Sequence, residues 1–382
     1  RPELRGRPVA VVPVETDSTS CIAASYEAKA FGVRTGTNVG EARRMCPGLV
    51  LVKGRPDLYV RTHHAVIEAI DRVLPVAGVH SIDEFSCRLL GAERERARAE
   101  ALALGVKASM RERVGACLTC SVGVAPNRFL AKVAADMRKP DGLTIIEREQ
   151  LPRALYALRL IDLPGIGVKM QERLRRRGIE TVEQLCALDE SAMRRAWESV
   201  VGEEWYHRLR GADLRERATT RRTIGHSHVL SPERRADDKA RAVAVRLLTK
   251  LGARARHLGY VAAHLTLSVR YFRPRAHRAG PPWQHAGDDA RRGARGDGAQ
   301  GMLFDPRGGG GDPRGGPPER WHATVPLPAG CCCDTPSLIE AFAPLWERRP
   351  RGPVLKLGVT LTDLTPARGT TGALFQDADA LA

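Results

Sequence analysis

No apolar run in this 382-residue chain approaches the roughly 18 residues that a membrane-spanning helix needs, which excludes an integral membrane protein of that kind. Cysteine is sparse: 9 in such a length make no disulfide framework. The charged-then-apolar plan of a secretory signal is missing as well, so a reducing cytoplasm is the expected location. Acidic residues are in deficit, 44 against 61 Lys and Arg for a net charge of +17, which disfavours cationic partners and points to a polyanion. An initial Met is lacking too. The chain opens at Arg1 and runs almost at once into an apolar strand, Val9–Val14, without a lead-in turn or cap, so a truncated start is expected. What is present suffices for packed cores: 43% of residues are hydrophobic, and the length allows two to four domains.

Up to about residue 145, apolar runs and helical periods alternate. Strand-like Val9–Val14 and Cys21–Ala24 precede helices near Thr37–Met45 and Leu58–Val73. A hairpin pattern over Val79–Leu90 is followed by a helix over Glu93–Val114, a strand over Cys117–Val124, a helix over Asn127–Arg138 and a strand over Leu143–Ile146. In Asn127–Arg138, Leu130, Val133, Ala134 and Met137 fall at i, i+3, i+4 and i+7, one core-facing stripe. This order predicts a split βαβ sheet with helices on one face. From 147 to 215 the pattern is wholly helical. A charged linker leads to a second α+β region, interrupted over Arg273–Arg320 by a Gly-, Pro-, Arg- and Asp-rich stretch too poor in apolar residues to repay ordering.

The residue pair with most chemical content is Asp83-Glu84, set between two strand-like runs. Neighbours on a regular strand point to opposite faces, so both carboxylates reach one cation only where the chain bends. Two hard oxygen donors there suit Mg²⁺, which takes one or two carboxylates plus substrate phosphates; the bland alternative is a solvated turn. Lys139, before Pro140, sets an ammonium at a rigid turn fit to hold a phosphate, unless it merely complements a helix C-terminus. Tyr26 and Lys29 lie three apart, a hydroxyl and a cation on one helix face, though an ordinary amphipathic helix would look the same. Leu163-Pro-Gly-Ile-Gly167, with Lys169 following, has the form of a helix-hairpin-helix turn, in which Gly165 and Gly167 free backbone N–H groups for a DNA phosphate. Its alternative is an αα-corner without a ligand. The arginines at 173 and 175–177 form a basic run beside it.

Taken together, these stretches resemble the Y-family (translesion) DNA polymerases of the DinB type. The resemblance rests on Pro2–Val9, Tyr26–Val33, Ser81-Ile-Asp-Glu84, Ser121–Asn127, Phe129–Gly142, Leu163–Gly167 and Arg222-Thr-Ile-Gly225, in the family's order and near-family spacing, over roughly residues 1–272 and weakly 320–365. It implies an α+β multidomain right hand with a ferredoxin-like palm, small fingers, a helical helix-hairpin-helix thumb and an α+β little finger. The expected boundaries are fingers plus a palm remnant at 1–55, palm at 56–146, thumb at 147–215, linker at 216–222, little finger at 223–366 and tail at 367–382. The implied activity is template-directed, error-tolerant addition of dNTPs to a primer 3′-hydroxyl, without proofreading. Asp83 and Glu84 would be two of three carboxylates holding two Mg²⁺ ions. Tyr26, Lys29 and Lys139 would bind the dNTP triphosphate. Gly165, Gly167, Lys169 and Arg222 would contact primer–template DNA, with an affinity that falls as salt rises. A monomer is expected.

The sequence departs from that pattern in places. The family's third carboxylate and its sugar-selecting aromatic lie in a strand motif just upstream of the segment that begins at Arg1. Lys29 stands where the family usually has Arg, exchanging a bidentate phosphate contact for a point charge. Arg88 stands where an acidic residue is common. Gln300-Gly-Met-Leu-Phe304 resembles the bacterial sliding-clamp-binding peptide, with Gln300, Leu303 and Phe304 as its contacts; Thr371–Phe375 keeps only the Leu-Phe end. Cys117-Leu-Thr-Cys120 has zinc-like spacing but is placed in a strand, where i and i+3 face opposite sides, and Cys331-Cys-Cys333 is too contiguous for a tetrahedral site. The rival reading is a non-catalytic relative that keeps the fold to hold DNA and clamp. A helix-hairpin-helix glycosylase or nuclease explains only residues 147–215.

Overall fold

The structure is a computed structural model that describes residues 1–215, 220–272, 319–328 and 333–367. It divides into two compact units, one of residues 1–54 with 218–382 and the other of residues 55–217.

The N-terminal part of the first unit is a three-stranded sheet. β1 (Val9–Val12) pairs antiparallel with β2 (Ala23–Ala24) and parallel with β3 (Val50–Lys53), a strand the apolar pattern did not separate from its surroundings. Two short helices join them, α1 (Tyr26–Ala30), capped by the Ser25 side chain accepting from the Ala28 N–H, and α2 (Val39–Met45), capped in the same way by Asn38. Ala10, Val12, Ala28, Val33, Val39 and Ala42 form the small core.

In the second unit, α3 (Pro56–Asp71) leads into the hairpin β4 (Val76–Val79) and β5 (Phe85–Cys87), followed by α4 (Arg96–Arg113). Next come β6 (Val122–Val124), α5 (Arg128–Met137) and β7 (Leu143–Ile145), with β6 and β7 paired in parallel around α5. The two pairs are not hydrogen-bonded into one sheet among the described residues, and β6 and β7 pair directly with each other, so where the sequence predicted one split βαβ sheet the structure has two separate two-stranded ladders. The Cys117–Cys120 stretch is irregular rather than extended, and only Val122–Val124 is strand. Helices α6 (Val168–Arg175), α7 (Val182–Ala187), α8 (Glu190–Trp197) and α9 (Val201–Leu209) complete the unit. Their buried residues share one apolar cluster with Leu130, Val133 and Ala134 of α5, where Trp205 packs between Phe129 and Trp197.

The C-terminal part of the first unit is a four-stranded antiparallel sheet ordered β10-β9-β11-β8, from β8 (Thr223–Val229), β9 (Tyr260–Tyr271), β10 (Arg320–Pro326) and β11 (Val354–Pro366). In β9 Leu265, Leu267, Val269 and Tyr271 are buried while alternate residues face out, the period-2 pattern of a sheet covered on one side. The cover is α10 (Asp237–His257) and α11 (Thr335–Arg348), which contribute Val243, Leu247, Leu251, Phe342 and Leu345 to the core. Among the described residues no helix is long and apolar enough to cross a membrane. The Gln300–Phe304 and Thr371–Phe375 peptides, Cys331 and Cys332 lie outside the described residues.

Candidate active site and nucleic-acid interface

Asp83 and Glu84 sit in the turn that closes the β4–β5 hairpin, where the backbone N–H groups of His80 and Ser81 both donate to the Glu84 carbonyl. The bend that a shared cation requires is therefore at these two residues. Ser81 Oγ donates to Asp83 Oδ1 at 2.6 Å and fixes that carboxylate locally. Two histidines buttress the turn: His63 on α3 meets the Ile82 carbonyl through Nδ1 at 2.8 Å and packs its ring on Phe85, while His80 Nε2 meets Ser86 Oγ at 2.8 Å. Among the described residues no group of three or more His, Cys, Asp or Glu side chains is arranged to hold a metal. Asp83 is exposed and Glu84 half-buried, an oxygen-rich pair that fits a Mg²⁺ ion completed by substrate phosphates and does not by itself supply a third protein ligand.

Beside the hairpin runs a line of alternating charge. Lys132 Nζ donates to Glu84 Oε1 at 2.6 Å and bridges to Asp136 at 3.2 Å; Asp136 Oδ1 in turn accepts from Lys139 Nζ at 2.6 Å. Lys132 and Asp136 are spaced i, i+4, so α5 presents them along one face while Leu130, Val133 and Ala134 bury the other, and Lys139 follows in the turn just past the helix end. The helix starts where it does because Asn127 Oδ1 accepts from the Leu130 N–H, and the Asn127 amide also donates to the Arg208 and Ala212 carbonyls. Gly123 of β6 lies so close beneath α5 that a Cβ there would fall 2.0 Å from the Ala131 carbonyl oxygen. Burial pulls the Lys132 pKa down, but hydrogen bonds and charge from Glu84 and Asp136 outweigh it and hold the ammonium above the ordinary lysine value. Lys132 escaped the sequence reading; its i, i+4 spacing from Asp136 on an otherwise amphipathic helix was the available signal. Arg88 is also accounted for, pairing with Asp213 at 2.6 Å.

On α1, in the other unit, Lys29 Nζ lies 4.4 Å from the centre of the Tyr26 ring, and the ring is half exposed. The one-face arrangement expected from their spacing is present.

In the helical region, Leu163 and Ile166 are buried and anchor a loop whose Gly165, Gly167 and Lys169 are exposed. Gly165 has φ +101°, a conformation that glycine adopts without strain, and Gly167 is the N-cap residue of α6. Of the neighbouring arginines, Arg173 and Arg177 pair with Glu198, and Arg176 with Glu172.

Arg222 is exposed just before β8, at the margin of a surface that sequence reasoning did not single out. The uncovered face of the four-stranded sheet carries Gly225, Ser227, Thr266, Ser268, Thr324 and Thr360, with Arg270, Arg320 and Lys356 toward one end. Thr266 and Thr324 hydroxyls meet at 2.8 Å. Gly358 is enclosed by its neighbours, since a Cβ would sit 2.5 Å from Ser268 Oγ. Short hydroxyls on a rigid ladder with cations at one end can donate to a phosphate backbone without reading bases.

The impB/mucB/samB family model matches residues 1–136, its C-terminal domain matches 221–374, and the DNA polymerase-iota thumb domain matches 161–213. The DNA polymerase IV of Moorella thermoacetica is 33% identical over 275 residues, covering 70% of this chain and 68% of that protein. The chain belongs to the DNA polymerase IV-like Y-family polymerases. The DNA polymerase IV of Alkalilimnicola ehrlichii is 32% identical over 274 residues and is covered to 76% of its length. The right-hand α+β architecture of the family is also that of the solved Y-family DNA polymerase chimera of Dbh and Dpo4, at TM-score 0.66 and 20% identity over 95% of this chain and 93% of that one. DinB from Sulfolobus solfataricus gives TM-score 0.53 at 20% identity with the same coverage. At such identity these structures speak to the fold alone.

Proposed function

We propose that this member of the family carries out template-directed, error-tolerant DNA synthesis of the lesion-bypass kind, transferring a nucleotide from a dNTP to a primer 3′-hydroxyl. The observation that carries the reading is the Asp83-Glu84 turn joined through Lys132 and Asp136 to Lys139, a carboxylate end and a cationic end along one surface. Asp83 and Glu84 would hold Mg²⁺, two ions if a further carboxylate joins them; bound metal supplies charge neutralisation at the phosphates and activation of the attacking hydroxyl. Lys139, Tyr26 and Lys29 would bind the triphosphate, the ammonium groups by charge and the phenol by donating a hydrogen bond. Lys132 pairs with Glu84 and orients its carboxylate.

The helix-hairpin-helix loop with Gly165, Gly167 and Lys169, and the hydroxyl-bearing sheet face with Arg222 at its margin, would hold primer–template DNA by its backbone. We assign fingers and a palm remnant to 1–55, palm to 56–146, thumb to 147–215 and little finger to 223–366. Gln300, Leu303 and Phe304 would dock on a bacterial-type sliding clamp, and the polymerase would act as a cytoplasmic monomer.

The test is primer extension with Mg²⁺ and dNTPs by this chain, and by the chain extended at its N-terminus with a strand that carries a further carboxylate. The expected result is addition complementary to the template, lost in Asp83→Ala and Glu84→Ala. DNA binding with no addition in either form would replace this reading with the non-catalytic scaffold.

A further inference from the structure

Lys107, near the middle of α4, is 8% exposed, an unusual place for an ammonium, because burying a charge is costly unless donors and acceptors match. Here they do. Lys107 Nζ donates to Asp141 Oδ1 and to the Asp141 carbonyl, both at 2.6 Å, to the Cys120 carbonyl at 3.0 Å and, more weakly, to the Gly142 carbonyl at 3.4 Å. Arg111, one turn further along α4, takes the second oxygen of the same carboxylate at 2.5 Å.

These contacts converge on the loop that joins α5 to β7 and carries Lys139. Asp141 stands at φ +53°, a left-handed conformation uncommon for a residue with a side chain. Gly142 follows so closely on the helix end that a Cβ would fall 1.8 Å from the Arg138 carbonyl oxygen. At the other shoulder Ser121 Oγ donates to the Arg138 carbonyl and accepts from the Gly142 N–H, each at 3.3 Å. Both shoulders of the loop are thus fastened from outside, and the segment between them presents the half-exposed Lys139 ammonium to Asp136. The Lys107 bond, with charge from Lys107 and Arg111, holds the Asp141 carboxyl below the usual carboxylate range, so that side chain is a carboxylate at neutral pH.

We propose that Lys107 is a positioning residue for nucleotide binding: its buried ammonium fixes the 138–142 turn and thereby places Lys139 against the triphosphate. The inference rests on the reading of Lys139 given above and extends it to a residue that touches no substrate.

The experiment measures affinity for a fluorescent dNTP with Mg²⁺ on a terminated primer–template in Lys139→Ala, Lys107→Met, Lys107→Arg, Arg111→Met and Ser109→Ala. Ser109, on the same helix, is buried and donates to the Ala69 carbonyl at 2.7 Å, so its loss destabilises α4 without touching the loop. Lys139→Ala and Lys107→Met are expected to weaken the dNTP by about tenfold, with DNA affinity unchanged. Lys107→Arg should recover most of that loss, Arg111→Met should weaken binding about twofold to threefold, and Ser109→Ala should lower Tm with affinity intact. If Lys139→Ala has no effect, or the unmutated chain does not bind the nucleotide, the reading of Lys139 fails and this inference falls with it. If Lys139→Ala weakens binding while Lys107→Met behaves like Ser109→Ala, the inference alone is overturned. Should Lys107→Met fail to fold, Arg111→Met decides: unchanged affinity contradicts the clamp.

Discussion

Lys139 and Lys29 are both proposed as phosphate-binding cations, yet they stand in opposite electrostatic settings. Lys139 closes a line of alternating charges that begins at Glu84, and the loop carrying it is clamped by Lys107, Arg111 and Ser121. Lys29 lies on a five-residue helix, rests over the Tyr26 ring and pairs with no carboxylate among the described residues. The first cation is pre-organised but partly compensated by Asp136; the second is uncompensated but loosely held. Pre-organisation lowers the ordering cost of binding, and an exposed charge on a long stem gives little in water, so Lys139 should carry the larger share of nucleotide affinity.

The largest expected effect breaks the carboxylate end. Glu84→Gln should lower nucleotide addition at least about a hundredfold while DNA affinity is unchanged, as measured by single-turnover extension beside a gel-shift titration. Next in size, Lys139→Ala should weaken dNTP binding about tenfold and Lys29→Ala only about threefold. Equal losses would erase the contrast between the two settings. The platform under Lys139 comes next. Gly123→Ala drives a methyl group into the Ala131 carbonyl and should cost about 1–3 kcal/mol by denaturant unfolding, with nucleotide binding impaired because α5 shifts.

The smallest effects separate the two regions by pH. His226 and His228 of β8 have pKa values lowered by burial and by α10 and nearby cations, Arg254 and Lys250 for the first, Arg246, Arg234 and Lys250 for the second. Their unfolded forms therefore take up protons first, and the C-terminal sheet should lose stability as pH falls below about 6.5. Asp141, whose folded pKa is depressed, gives stability that is fully present above its unfolded value and is lost only as pH drops below about 4. Hydrogen exchange followed from pH 7 to 3 should show β8 loosening before the 138–142 loop, and His226→Asn with His228→Asn should remove the earlier step.

Much of this was legible in the sequence because it is local. The α5 stripe at Leu130, Val133 and Ala134, the hairpin around Asp83-Glu84 and the glycine turn at 163–167 each follow from spacing over a few residues, whereas Met137, expected on the same stripe, lies at the last position of the helix and is exposed. What the sequence did not reveal depends on pairing across distance. Strand β3 is only four residues long and is defined by its parallel register with β1, which no local period announces. The irregular Cys117–Cys120 stretch has strand-like composition, yet its Cys120 carbonyl serves the Lys107 ammonium instead of a ladder. Lys132 and Lys107 read as ordinary charges on helices until Glu84 and Asp141, 48 and 34 residues away in the chain, are brought against them. The hydroxyl-lined sheet face is likewise a product of register, since Thr266, Thr324 and Thr360 become neighbours only when three strands align.

The most direct test of the central claim is Mn²⁺ binding, followed by electron paramagnetic resonance, to the chain on primer–template with a non-hydrolysable dNTP, compared with Asp83→Asn and Glu84→Gln. The account predicts metal bound in the unmutated complex and lost or much weakened in both variants. Binding that is absent, or that survives both substitutions, would contradict the assignment of the Asp83-Glu84 turn as the metal site.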